Sequence, residues 1–131
     1  MKAIYIAGRV SWGDDVLPEF AKELEQRDHH ITCKWWKLGR LPKPYLDNLD
    51  SSQKAAKLMV EAVMESDVLI LFAEDNVLGA ATELGVAIGD TSRSRVNIVV
   101  VPEGVRQSVF YAHPEVVAVS DIDKIRSMDW Y

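Results

Sequence analysis

The feature that most constrains the fold of this chain is an unbroken apolar run near its middle. Val68–Ala73 reads Val-Leu-Ile-Leu-Phe-Ala, without the polar alternation of a strand that faces water on one side. Such a strand is buried on both faces, as happens when helices cover both sides of a parallel sheet. Lys2–Ala7 and Val96–Val101 are similarly apolar and contain β-branched residues, so they predict two further strands of the same sheet.

Segments with strand character alternate with segments of helical period along the chain. Ile31–Trp36 and Val116–Val119 bring the number of predicted strands to five. Alternation of this kind builds right-handed βαβ units. The sequence therefore predicts an α/β fold, a single doubly wound and Rossmann-like five-stranded parallel sheet with helices on both faces. Because the chain has 131 residues, we expect one domain over residues 1–131.

Apolar periodicity predicts the first two helices. The stripe of the first helix is Val16, Phe20 and Leu24. The second helix is expected to begin at a Ser51 or Ser52 cap. Its expected buried face consists of Ala55, Leu58 or Met59, Ala62 and Val63.

Glycine and aspartate signals predict the limits of the other two helices. The third is expected from Ala81 to Ile88, where Gly89 ends it. The fourth is expected to begin after an Asp121 cap and to reach about Met128. Leu38–Asp50 contains glycine and two prolines without a clear period, so it predicts a long loop beside the site.

The charge balance restricts the class of partner. The chain carries 20 acidic and 15 basic side chains, a net charge of -5. A nucleic-acid polymer needs clustered positive charge and is not expected to bind. The basic pair Arg93 and Arg95 predicts a solvated loop. A small anionic ligand stays open, because backbone N–H groups at a helix start bind anions without net positive charge.

Cysteine and histidine usage argues against a metal or cofactor. Cys33 is the one cysteine, so neither an internal disulfide nor a cysteine zinc cluster is expected, and its apolar surroundings predict burial. His29, His30 and His113 are not spaced as metal ligands. The apolar start is too short for a signal peptide, and no stretch approaches the roughly 18 apolar residues of a membrane span. We expect a cytoplasmic protein with no membrane partner.

Three loops are expected to meet at the carboxyl edge of the sheet, where open α/β folds bind ligands. They are Gly8–Asp14, Glu74–Glu83 and Pro102–Pro114. The first offers free backbone amides, the Arg9 guanidinium and the Ser11 hydroxyl, a mixture that suits a phosphate or a sugar hydroxyl. A simple turn accounts for the same residues.

Glu83 is the candidate reactive group at this edge. It lies in Gly79–Gly85, which follows the central strand and is expected to open a helix. A carboxylate there can attack an electron-poor sugar carbon, although a first-turn acid that complements the helix dipole is an equal explanation. Tyr5 lies on the first strand, and its phenol is expected to orient Glu83 and hold it ionised.

Tryptophans are the other notable feature. Trp35 and Trp36 are expected on a strand, so one should face the core and the other the opposite side. Together with Trp12 they form either a stacking surface for a nucleobase or ordinary core and interface packing.

Several segments, in order and spacing, resemble the nucleoside 2-deoxyribosyltransferase-like family, which includes deoxynucleoside 5′-monophosphate N-glycosidases. These are Ile4–Arg9, Asp28–Trp35, Ser66–Ile70, the motif Gly79-x-x-x-Glu83-Leu84-Gly85-x-Ala87, and Ser108–Val116. The resemblance extends over nearly the whole chain. It implies a nucleoside or nucleotide ligand.

The resemblance also implies a reaction and roles for residues. Glu83 would attack the anomeric carbon in a retaining double displacement that Tyr5 supports, and water or a second base would then release the sugar. Gly8, Arg9, Ser11 and Gly13 would bind a 5′-phosphate, and Asp75 or Asn76 would bind a sugar hydroxyl. Trp12 and Gly79 are further candidates for contact with the ligand. A second copy in a homo-oligomer would contribute the segment from Ser108 to His113.

One departure from the family pattern opens alternatives. Relatives carry an aspartate for the leaving base about eight residues before the pair that matches Ser66-Asp67, and here that position is Met59. Lys57 and Glu61 flank it but point elsewhere on a helix. Either the enzyme acts on a base that leaves easily or is activated differently, or the fold keeps the pocket without the chemistry. A nucleotide-binding protein without catalysis is therefore the second hypothesis. A structural subunit that docks a partner through exposed tryptophans is the third.

Overall fold

In the computed structural model, which describes residues 1–9 and 15–131, one sheet forms the centre of the molecule. Within those residues its five strands are all parallel and lie in the order β2-β1-β3-β4-β5. Their bounds are β1 Ala3–Ala7, β2 His30–Ile31, β3 Val68–Phe72, β4 Val96–Val100 and β5 Val116–Val119. The expected doubly wound α/β fold is confirmed.

The described residues form four α-helices between and after the strands. They are α1 Val16–Gln26, α2 Leu49–Glu65, α3 Leu78–Gly89 and α4 Ile122–Arg126. Short 3-10 turns lie at Trp35–Lys37, Tyr45–Asp47 and Val109–Ala112. Asp121 caps α4 as expected, since its side chain accepts a hydrogen bond from the Lys124 N–H. None of the helices in these ranges has the length and apolar character needed to cross a bilayer.

Alternating side chains of the central strands build a core on each face of the sheet. On one face Ile6 and Ile70 pack with α1 and α4, and on the other Leu69 and Leu71 pack with α2 and α3. All five residues of β3 are buried. The apolar run that predicted a strand covered on both faces is therefore explained by two helical layers.

The order of the strands reverses between β1 and β3. The chain leaves β1 toward β2 on one side, and it later leaves β3 toward β4 on the other, so the two loops at their carboxyl ends diverge and open a crevice. Gly8 lies at this point. A Cβ built on Gly8 would lie 3.2 Å from Phe72 Cβ and 3.3 Å from Leu17 Cδ2, so the close packing of these elements favours glycine.

The second predicted strand is wrong beyond Ile31. Only Ala3 with His30 and Ile4 with Ile31 are paired, and the chain then turns into a 3-10 turn that contains both tryptophans. The indole Nε1 of Trp35 donates to the Ile6 carbonyl at 2.7 Å, a contact that draws the chain back over β1. Strand alternation does not apply there.

Two predicted helix starts are also wrong. α2 begins at Leu49, where Ser52 Oγ instead donates to the Tyr45 carbonyl at 2.8 Å and Ser51 Oγ to the Asn48 carbonyl at 3.4 Å. α3 begins at Leu78, before the expected Ala81. Of the two alternatives for the buried face of α2, Leu58 is exposed and Met59 is half-buried.

The expectation of a solvated loop is wrong for Arg95, which is buried where α2 and α3 end. Its guanidinium donates to the carbonyls of Ser66 at 2.9 Å, Ala87 at 3.0 Å and Met64 at 3.0 Å. It also pairs with Asp90 at 2.9 Å. Hydrogen bonds from Ser92 and Arg95 lower the pKa of Asp90 to about 2, so the pair stays charged at neutral pH.

Replacing this arginine is expected to destabilise the fold. In Arg95→Ala, buried carbonyls lose their donors at a cost of about 1–3 kcal/mol each, so we expect the free energy of unfolding to fall by more than about 2 kcal/mol. Arg93, whose side chain is 40% exposed, is the matched control, and Arg93→Ala is expected to cost less than about 1 kcal/mol. Urea unfolding followed by tryptophan fluorescence measures both, and equal losses would contradict the prediction.

Candidate functional site

A cavity of about 650 Å³ opens at the reversal of strand order, between the loops that follow β1 and β3. Gly8 and Arg9 come from the first loop, and Asn76 and Val77 from the second. The start of α3 forms one wall with Leu78, Gly79, Ala80, Thr82 and Glu83. The remaining lining residues are Trp35, Tyr45, Ala56, Met59 and Val60. The structure thus brings Gly8, Arg9, Asn76, Gly79 and Glu83 together as predicted.

Glu83 lies in the second turn of α3, beside the apolar stripe that faces the sheet. That stripe includes Ala80, Leu84 and Ala87, which are buried. Since Glu83 follows Ala80 by three residues, its side chain lies at the flank of the stripe and reaches the cavity. The interpretation as a first-turn acid is wrong, because α3 has no acidic residue in its first turn.

Burial controls the charge of Glu83. Loss of solvation raises the pKa of its carboxyl to about 7, and the interaction with Tyr5 opposes this rise. The direction of the expected Tyr5 effect agrees with this shift, since the phenol lowers the pKa of Glu83, but burial has the larger effect. Near neutral pH the carboxyl is partly protonated.

Tyr5 is completely buried on β1, on the face of the sheet that packs against α3. Burial and the negative charge of Glu83 raise the pKa of its phenol far above the usual range. The two groups are close enough to affect each other's pKa, yet neither Tyr5 Oη nor Glu83 Oε2 meets strict hydrogen-bond geometry with any described residue. The two side chains are therefore adjacent but short of a full hydrogen bond.

Cys33 is a third group in this cluster. It is buried, as predicted, and packs on the same face of the sheet as Tyr5. Burial first, and then the negative charge of Glu83, raise the pKa of its thiol. The thiol is therefore protonated at neutral pH, and it adds no negative charge beside Glu83.

Arg9 connects the two loops of the crevice. Its Nη1 donates to the Asn76 carbonyl at 3.3 Å, and the side chain is otherwise exposed. A guanidinium at the mouth of the cavity is suited to an anionic group of a ligand.

Met59 lines the cavity from α2, at the position where the family resemblance implies an acid. Lys57 and Glu61 form an ion pair at 3.9 Å with side chains 79% and 56% exposed, so they point away from the cavity as expected. Asp67 is structural, because its carboxylate accepts from the Ala3 N–H at 2.9 Å and pairs with Arg93 at 3.3 Å.

Other predicted site residues lie apart from Glu83 in this chain. Ser108 lines a neighbouring cavity of about 260 Å³, where Asp75 accepts a hydrogen bond from the Arg106 N–H at 2.7 Å. His113 lines neither cavity, and its Nδ1 accepts from the Glu115 N–H at 3.0 Å. The predicted ligand contacts of Ser11, Trp12 and Gly13 lie outside the described residues.

Sequence reasoning missed most of the outer wall of the cavity. Ala56, Met59 and Val60 share one side of α2, which their helical spacing indicates in retrospect. Tyr45 comes from a 3-10 turn inside the segment interpreted as a long loop, where no period marks it. Trp36 is half-buried against the core, and no described tryptophan is exposed, so docking through exposed tryptophans is not supported. Residues 1–9 and 15–131 contain no cluster of metal-ligating side chains.

The fold has a counterpart among solved structures. No protein-family model and no curated protein matches the sequence. The chain is similar to a CMP N-glycosidase of Clostridium botulinum, BcmB, with a TM-score of 0.62 and 17% sequence identity. The match covers 90% of this chain and 88% of that chain. At this identity, the likeness shows a shared doubly wound fold.

The raised pKa of Glu83 predicts a pH-dependent stability. The pKa of Glu83 in the folded state, about 7, exceeds the ordinary 4.5. The stabilisation of the fold that this carboxyl contributes is therefore complete below pH 4.5 and is lost as the pH rises through 7. Between pH 4.5 and pH 8, we expect the free energy of unfolding of Glu83→Gln to rise by up to roughly 3 kcal/mol relative to that of wild type. Urea unfolding at both pH values measures this difference.

The matched control is Glu61→Gln, which changes an exposed acid of α2. It is expected to show the same pH dependence as wild type. Parallel pH curves for wild type and Glu83→Gln would mean that Glu83 has an ordinary pKa.

Proposed function

We propose that this protein cleaves the N-glycosidic bond of a nucleoside or nucleoside 5′-monophosphate. The observation that carries the proposal is the half-buried carboxyl group of Glu83, which lies beside Tyr5 and lines a cavity at the reversal of strand order. Ligands of open α/β folds bind at this place. The similarity of the fold to a CMP N-glycosidase supports the same class of reaction.

In the proposed reaction Glu83 acts as the nucleophile. Its ionised oxygen attacks C1′ of the sugar, and the C1′–N bond breaks with its electron pair passing to the base. A glycosyl ester of Glu83 is then attacked at C1′ by water, which releases the sugar and restores the carboxylate. A second base in place of water would give base exchange, a transferase reaction.

Tyr5 is the proposed positioning residue. Its phenol lies next to Glu83, and its interaction lowers the pKa of that carboxyl against the effect of burial. A small movement of either group on ligand binding would complete their hydrogen bond. The unpartnered state of Tyr5 Oη and Glu83 Oε2 among the described residues supports this role.

The anionic part of the ligand is proposed to bind at the loop after β1. Arg9 lies at the mouth of the cavity and Gly8 lines it. The resemblance adds Ser11 and Gly13 to this group, and on the other loop Asn76 and Gly79 line the same cavity.

A second copy of the chain is proposed to complete the site. Val109 and Phe110, which follow Ser108, are 79% and 63% exposed, and Leu78 at the rim of the cavity is 83% exposed. Apolar side chains this exposed next to a ligand cavity support a homo-oligomeric contact there.

Removal of the nucleophile is the direct test. We expect Glu83→Ala to lower release of base from a panel of nucleosides and 5′-monophosphates by at least about 10³-fold, because the covalent step is lost. Release of free base is measured by liquid chromatography. Glu61→Ala, an exposed acid of similar type, serves as the control. Unchanged turnover in Glu83→Ala would refute the nucleophile assignment.

Tyr5 is tested through the pH profile. Since only ionised Glu83 attacks, kcat/KM is expected to rise with pH through about 7. Tyr5→Phe removes the interaction that lowers this pKa, so the midpoint of the rise is expected to move to higher pH. Activity should then be lost at pH 6 and largely recovered at pH 9. A uniform loss at every pH would mean that Tyr5 is merely structural.

A nucleotide-binding protein without catalysis is the second candidate, and Met59 favours it. A thioether in the cavity can neither donate nor take the proton that a neutral leaving base requires. Incubation with candidate nucleotides followed by mass analysis separates the two functions. Intact bound nucleotide supports binding alone, and free base supports catalysis.

A further inference from the structure

The cavity beside Glu83 has an unusual wall of aromatic and thioether groups. Trp35, Tyr45 and Met59 line it together with Glu83. The Trp35 indole is fixed by its 2.7 Å hydrogen bond to the Ile6 carbonyl. Lys43 Nζ lies 5.6 Å from the centroid of the Tyr45 ring, a contact that already takes up part of this aromatic surface.

This set of side chains favours a positively charged ring. Faces of tryptophan and tyrosine attract cations, and a polarizable thioether packs well against an aromatic system. The Glu83 carboxyl lines the same cavity and adds a negative charge to it when ionised. Of the described lining residues, the one that carries a permanent positive charge is Arg9, and it is tied to the Asn76 carbonyl at 3.3 Å.

From this wall we infer that the substrate is an N-glycoside whose base carries a permanent positive charge, a pyridinium or N-alkylated purine nucleotide. The inference rests on the proposed function and specifies its substrate class. Burial of Glu83 supports it as well, because a cation in the cavity would replace the lost solvation and favour the ionised carboxylate.

The chemistry of such a base fits the residues present. Glu83 attacks C1′, the C1′–N bond breaks, and its electron pair neutralises the positive ring nitrogen without any proton transfer. Water then attacks C1′ of the ester, the C1′–O bond to Glu83 breaks, and the proton of the water passes to solvent. Overall, the cationic nucleotide and water give a neutral base, a sugar phosphate and one proton. Met59 is therefore compatible with catalysis, since a base of this kind leaves without an acid to protonate it.

The test uses substrate pairs that differ in ring charge. Nicotinamide mononucleotide is compared with its dihydro form, and 7-methylguanosine 5′-monophosphate with GMP. In catalytically inactive Glu83→Ala, we expect each cationic member to bind roughly tenfold more tightly, as measured by calorimetry. In wild type, we expect the kcat/KM of the cationic member to exceed that of the neutral member. This ratio should be larger than the ratio of their rates of uncatalysed hydrolysis.

Substitution of Met59 supplies the second arm. Met59→Asp places a proton donor in the cavity, so turnover of the neutral nucleotides is expected to rise by about 10²-fold while turnover of the cationic ones falls. Met59→Leu is the matched apolar control and is expected to keep the preference for cations. Trp35→Leu is expected to reduce the preference in binding.

The outcomes separate the two proposals. Glu83-dependent cleavage without any preference for ring charge would overturn this inference and leave the proposed function standing. Equal binding of charged and neutral members would also overturn it. If Tyr45→Phe loses turnover of the neutral nucleotides alone, the Tyr45 phenol is the acid that protonates the leaving base. That result would also overturn the inference. Tight binding of the cations without cleavage would refute the proposed function but retain the charge preference.

Discussion

The reversal of strand order between β1 and β3 is the constraint on which the rest of the molecule depends. Both strands are buried on both faces, so their positions are set by the two cores and not by the loops. Their carboxyl ends lead in opposite directions, and the space between them stays open. Gly8 permits the close packing of this corner, and the start of α3 brings Glu83 to its wall.

The same burial that stabilises the sheet also disfavours the ionised form of the Glu83 carboxyl. Tyr5 and Cys33 come from the core face that α3 covers, and both are neutral at ordinary pH. Neutral, poorly solvated surroundings raise the pKa of Glu83 to about 7. In the proposed reaction, a carboxylate held in this way is more reactive once ionised, because it has little water to lose before it attacks.

The sequence predicted the elements that one strong local signal specifies. The apolar run of β3 and the Asp121 cap of α4 are of this kind. The errors concern contacts between distant residues. No local pattern shows that Trp35 will donate to the Ile6 carbonyl, or that Arg95 will be buried under the ends of two helices. In both cases a long polar side chain satisfies backbone carbonyls far away in the sequence.

The two sides of the cavity differ in how freely they can change. Tyr5 lies in a packed strand and Glu83 on the flank of a buried stripe, so substitutions there disturb the core or leave polar groups unpaired. Met59 is half-buried and Tyr45 is 49% exposed, so substitutions there cost little stability. The fold therefore holds Glu83 in place while the wall formed by Tyr45 and Met59 can vary. In the proposed function, recognition of the base depends on α2 and on the turns at Trp35 and Tyr45, and not on the sheet.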